Sequence, residues 1–93
     1  MMIVERRTHY IKEGHTEEAV NLLLAEDWGV PVRLYQPLTG RMDVLVGEAE
    51  WESIEASNQY WLTWSTKPTA QAFLEQWQKL VEPAWTREFF EVL

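Results

Sequence analysis

Apolar and polar residues along this chain fall into a regular series of predicted elements. Residues 3–11 are rich in β-branched and aromatic side chains and lack Gly and Pro, which predicts a strand. Gly14 ends it. Thr16 then predicts a helix N-cap, with Glu17 and Glu18 in the first turn, where the helix dipole favours acids. Val20, Leu23, Leu24 and Trp28 continue at helical spacing, and Gly29 with Pro31 marks the stop.

Residues 32–36 predict a short strand, the run Pro37-Leu38-Thr39-Gly40 a turn, and residues 42–51 a longer strand, so the three read as a β-hairpin. Ser53 is placed to cap the next helix, which carries Ile54, Trp61 and Leu62. The helical register restarts near Ser65-Thr66-Lys67-Pro68, because proline suits the first turn of a helix and not its interior. Ala70, Phe73, Leu74, Trp77, Leu80, Val81 and Ala84 then keep the clearest i, i+3, i+4 rhythm in the chain. Pro83 is expected to close that helix, with a last strand over residues 87–93. The order is β, α, β, β, interrupted α, β. A ferredoxin-like α+β fold accommodates it with short connections and right-handed crossovers: four antiparallel strands in the order 4-1-3-2, helices on one face. Residues 1–93 show no repeat, low-complexity tract or linker and are read as one domain.

A four-stranded sheet covered by helices on one side should alternate apolar and polar residues. Val44-Leu45-Val46 and Phe89-Phe90 instead place apolar side chains on both faces. Something must cover the second face, and a second copy of the chain is the simplest candidate. The small size points the same way, since short domains bury a modest share of their surface and often gain stability by pairing.

Composition narrows the partners. A formal charge of −7, with no basic cluster beyond Arg6-Arg7, argues against nucleic acid and against an anionic membrane surface. There is no cysteine, hence no disulfide or thiolate chemistry. No secretory leader is visible at the N-terminus, and no apolar run approaches the roughly 20 residues needed to cross a bilayer, so a cytoplasmic location is expected. Six tryptophans are many for 93 residues; each offers a large apolar body and one N–H donor, suited to core, pocket or interface.

Two groups of residues carry candidate chemistry. Glu5, Arg7 and His9 share parity and point to one face of the first strand. They read either as an anion-binding or acid–base cluster, with Arg7 holding a carboxylate or enolate oxygen and His9 moving a proton, or as a structural ion pair that sets register. Asn58, Tyr60, Trp61 and Trp64 lie beside the helix interruption. They read either as walls of an apolar pocket opened by the break or as plain aromatic packing. If a pocket exists, it is expected between sheet and broken helix, bounded by Trp61 or Trp64, with polar contacts from Arg7, His9, Tyr35 or Asn58. No metal-ligand spacing, dinucleotide fingerprint, phosphate loop or nucleophile elbow occurs, and neither cofactor nor metal is expected. Asp43 and the acids at Glu48, Glu50 and Glu52 read as solvated carboxylates.

The segment Met2-Ile3-Val4-Glu5-Arg6-Arg7-Thr8-His9-Tyr10-Ile11-Lys12-Glu13-Gly14 resembles the opening strand of NIPSNAP-type domains. Trp51-Glu52-Ser53-Ile54-Glu55-Ala56 is similar to that family's strand-to-helix junction, and Gln71-Ala72-Phe73-Leu74 to its second helical segment. The resemblance implies a dimeric α/β barrel, two ferredoxin-like sheets face to face with helices outside. That wider group includes cofactor-free monooxygenases, haem-degrading enzymes, isomerases and proteins without an assigned activity. In the monooxygenases an Asn and a Trp near this helix hold the substrate, which Asn58 and Trp61 echo. The haem-binding relatives place a histidine on or near the second helix, and no His follows His15 here. The expectation is therefore a homodimeric small-molecule-binding or assembly protein taking a small apolar or aromatic molecule. A cofactor-independent monooxygenase or isomerase acting on an aromatic or keto compound is the alternative, with Arg7, His9 and Asn58 as candidate catalytic residues.

Overall fold

The structure is a computed structural model describing residues 1–93. Its elements in chain order are β1 (Ile3–Ile11), α1 (Thr16–Ala25), β2 (Arg33–Tyr35), β3 (Val44–Trp51), α2 (Ile54–Ser65), α3 (Pro68–Leu80) and β4 (Val81–Glu91). All strand pairs are antiparallel and the sheet order is β2-β3-β1-β4, the ferredoxin-like arrangement expected from the pattern.

Register sorts the side chains. Glu5 pairs with Ala49 and Phe89, Arg7 with Gly47 and Arg87, and His9 with Leu45 and Trp85. Directly opposed residues share a face, so this set lies together on one side of the sheet. Ile11 and Leu45 from that side are buried with Ala19 of α1, Trp64 of α2, and Ala70, Phe73, Trp77 and Leu80 of α3. All three helices therefore pack on this face. The other face carries Val4, Arg6, Thr8, Tyr10, Val44, Val46, Glu48, Arg33, Tyr35 and Phe90, with no element over it.

Local chemistry explains most boundaries. The Ser53 hydroxyl accepts from the Ala56 amide at 3.0 Å, a cap worth about 1 kcal/mol, and starts α2. Pro68 occupies the first turn of α3, where its missing N–H costs nothing, after Thr66 and Lys67 have closed α2 through bonds to Thr63 and Trp64 carbonyls. Gly29 has φ 71°, the left-handed conformation that turns the chain out of the α1 loop.

Three expectations need correction. α1 is capped at His15, not Thr16, with no side-chain cap bond, and it ends at Ala25; Trp28 reaches the core from the following loop, and Leu24 faces solvent. Helix α3 stops at Leu80, and the last strand begins at once with Val81 instead of near Arg87. Pro83 therefore sits inside β4. It is tolerated because β4 is an edge strand bonded only to β1, so the missing donor falls on an unpaired side or at the irregularity where register shifts between His9 and Ile11. Val81 and Ala84 consequently belong to the sheet, not to the helical stripe.

Candidate functional site

Glu5 is the most connected side chain in the protein. Only 2% of it is exposed, in the first half of β1 beneath α2. Its Oε1 accepts from Trp51 Nε1 at 2.9 Å, Ser57 Oγ at 2.7 Å and Trp61 Nε1 at 3.0 Å. Its Oε2 accepts from Arg7 Nε at 2.9 Å and Arg87 Nε at 2.7 Å, with a longer contact from Trp61 at 3.2 Å. Burial pushes the carboxyl pKa up, but the bonds from Trp61, Ser57, Arg87 and Arg7 outweigh it and bring it down to about 2. Glu5 is therefore a fixed anion with every lone pair engaged, unsuited to act as a base.

Two guanidiniums meet this single carboxylate. Arg87 also reaches α2, where its Nη2 donates to Ser57 Oγ and Asn58 Oδ1, both at 2.9 Å. Arg7 gives Glu5 only its Nε, and its two Nη groups donate to no protein atom. Its Cζ lies 3.8 Å from the Trp61 ring centroid and 5.2 Å from that of Trp85, so the planar cation is flanked by indoles. Burial lowers the Arg7 pKa from its usual value and Glu5 pushes back; the group stays a cation at neutral pH.

Beside Arg7, the His9 ring stacks on Trp85 at 5.4 Å and meets the edge of Trp77 at 5.2 Å. Burial, and then the charge of Arg7, push its pKa down to about 4. His9 is neutral at physiological pH.

These residues face a cleft of about 510 Å³ between the helices and the sheet. Arg7 and His9 form part of its floor with Leu45, and Trp28, Trp61, Trp64, Phe73, Trp77 and Trp85 supply aromatic wall. Five of the chain's six tryptophans thus surround it; Trp51 does not. Opposite Arg7 in the sheet stands Gly47, where a side chain would begin to fill the floor. The break between α2 and α3 separates Trp64 from Phe73 and lets both reach the same space.

Of the residues singled out from sequence, Arg7, His9, Trp61 and Trp64 come together here. Tyr35 does not: it pairs with Val46 on the uncovered sheet face and donates to Glu48 Oε1 at 2.9 Å. Asn58 is an exposed α2 residue outside the cleft, held by Arg87. Tyr60 donates to the Trp28 carbonyl and so ties α2 to the loop after α1. Glu48 is not a free carboxylate, since Arg6 Nε bonds it at 2.7 Å. Sequence reasoning missed Arg87, Ser57, Trp77 and Trp85. A signal for two of them was present: Trp85, Arg87 and Phe89 alternate on β4 much as Glu5, Arg7 and His9 do on β1. No group of three or more His, Cys, Asp or Glu side chains could hold a metal, and no helix is long and apolar enough to cross a membrane.

Known structures share this architecture. A NIPSNAP family protein from Agrobacterium tumefaciens superposes with a TM-score of 0.88 at 18% identity, over 99% of this chain and 86% of that one. An uncharacterized NIPSNAP domain protein from Burkholderia xenovorans gives 0.85 at 18% identity, over 98% and 94%. A putative antibiotic biosynthesis monooxygenase from Chloroflexus aurantiacus gives 0.66 at 13% identity, over 95% and 91%. The likeness is one of fold: the chain has the fold seen in NIPSNAP family proteins. No protein-family model matches it, and no curated protein matches it in sequence.

Proposed function

We propose that this is a homodimeric small-molecule-binding protein whose ligand occupies the cleft between helices and sheet. The observation that carries the reading is the cleft itself: about 510 Å³ of mostly apolar space with a few convergent polar groups, in a chain where only 11 of 93 residues are buried. A core of this size would ordinarily be packed to crystal-like density. Aromatic walls beside the rigid Glu5 cluster suit a flat apolar guest, because Glu5 and its donors hold one another in place whether or not it is present. Binding of a neutral aromatic probe, naphthalene-2-carboxamide, tests this through tryptophan fluorescence. A saturable change of one probe per chain supports the reading; a linear, unsaturable response overturns it.

Pairing is argued from the uncovered sheet face. Val4, Val44, Val46 and Phe90 present apolar surface there, and Phe90 is 43% exposed. The same face carries both signs of charge, Arg6 and Arg33 beside Glu48 and Glu88, so two copies related by a two-fold axis can face each other without net repulsion.

A second reading, catalysis of proton or oxygen chemistry on a bound aromatic or keto compound, is favoured by one observation. His9 lines the cleft as a neutral imidazole next to a cation that would stabilise an enolate. Oxygen uptake or isomerisation that His9→Gln abolishes while probe binding persists would support it; equal activity in the variant would remove it. Asn58, held outside the cleft by Arg87, has no part in this reading.

A further inference from the structure

Charge in the Glu5 cluster does not cancel. Glu5 contributes one negative charge and Arg7 and Arg87 two positive ones, all within direct bonding distance of the same carboxylate. The surplus is not distributed evenly. Arg87 spends its Nη2 on Ser57 and Asn58 and is absent from the cleft wall. Arg7 lines the cleft, 22% exposed, with both Nη groups unused by the protein and its Cζ 3.8 Å from the Trp61 ring and 5.2 Å from that of Trp85. An arginine fixed through Nε and by flanking indoles has little rotamer freedom left to lose, so its free edge is preorganised for a planar two-oxygen anion.

The other charged groups near the cleft do not satisfy that edge. Glu5 is fully engaged, Glu48 is bonded to Arg6 and Tyr35 on the far face, and Glu82 makes no bond to Arg7. Lys12 is a second cation in the cleft lining, without a carboxylate partner. His9, neutral beside Arg7, adds no competing charge and offers a polar edge among the aromatic walls.

We propose that the cleft selects flat, apolar or aromatic monocarboxylates, with the carboxylate received by the free Nη edge of Arg7 and the ring system held among the tryptophans. This rests on the cleft being a ligand site at all. The overall charge of −7 works against long-range attraction of an anion, so selectivity comes from the local bonds and not from steering.

The experiment compares 2-naphthoate with its neutral isostere naphthalene-2-carboxamide by calorimetry at pH 7, using the full chain. The acid is expected to bind at least about tenfold more tightly, the ratio one charge-assisted pair supplies. Arg7→Gln should abolish that ratio, acid and amide then binding with equal affinity, and Lys12→Gln should leave the ratio largely intact. Equal affinity of acid and amide in the natural protein overturns the carboxylate assignment but leaves the cleft as a binding site. Failure of both compounds to bind overturns both. A ratio that survives Arg7→Gln, or disappears with Lys12→Gln alone, overturns the role given to Arg7. Should Arg7→Gln fold poorly, Arg7→Lys keeps the charge without the two-pronged edge and is expected to lose most of the preference.

Discussion

Arg87 reaches Glu5 across 82 residues of chain, Nε to Oε2 at 2.7 Å, and so fastens the last strand to the first at the depth where α2 crosses both. The bond depends on the β1–β4 register, which sets Arg87 beside Arg7. Two like charges side by side are tolerable only because one buried carboxylate serves both. The cluster is thus both a structural staple and the rigid floor against which a cleft stays open.

Removing the shared anion should be costly. Glu5→Gln leaves two guanidiniums, Trp51, Trp61 and Ser57 facing a neutral amide whose NH2 end conflicts with their donors. A loss of roughly 3–5 kcal/mol is expected, read from urea unfolding of the natural protein and the variant. Arg87→Met should cost less, because Arg7 still neutralises Glu5. Equal, sub-kilocalorie effects for both would mean that the cluster contributes little to folding.

Acid should weaken the fold in two stages. His9 has a folded pKa pushed down to about 4 from 6.5, so between these values the unfolded chain binds the proton and the folded one does not; stability falls as pH drops through that window. Glu5 is lowered from 4.5 to about 2, and its stabilising contribution, present above 4.5, is lost as pH falls toward 2. Unfolding midpoints at a series of pH values check this. His9→Gln should flatten the upper stage and leave the lower one.

Much of this arrangement is legible in the amino-acid sequence. The shared parity of Glu5, Arg7 and His9, the Ser53 cap and the helix restart at Pro68 are local signals, and local physics decided them. The misread features depend on neighbours. Pro83 looks like a helix terminator unless the following strand is known to lie at a sheet edge. Tyr35 belongs to a strand of three residues, and which face it takes is set by pairing with Val46, not by its own alternation. Arg87 gains its role only once β4 is in register with β1.

The sheet face without helices should hold two copies together. Phe90→Glu places a charge beside Arg6, which lies 4.9 Å from the Phe90 ring, in the middle of the proposed contact. Light scattering at micromolar concentration should give a dimer for the natural chain and a monomer or aggregate for the variant. A natural chain that is monomeric there would remove the pairing proposal.

Gly47 offers a way to narrow the cleft from its floor, beside Arg7. Its φ is not positive, and an added Cβ would meet only Leu34 Cδ2 at 3.6 Å, an ordinary contact. Gly47→Leu should therefore fold normally and fill floor space opposite Arg7. Affinity for naphthalene-2-carboxamide is expected to drop by about tenfold or more.

The most direct test of the central claim is a two-dimensional NMR titration of the six indole N–H groups with naphthalene-2-carboxamide. If the cleft is the ligand site, Trp61, Trp64 and Trp85 shift most, Trp51 shifts least, and the changes saturate together with one affinity. Shifts confined to residues of the uncovered sheet face, or no saturable shift at any cleft tryptophan, would contradict it.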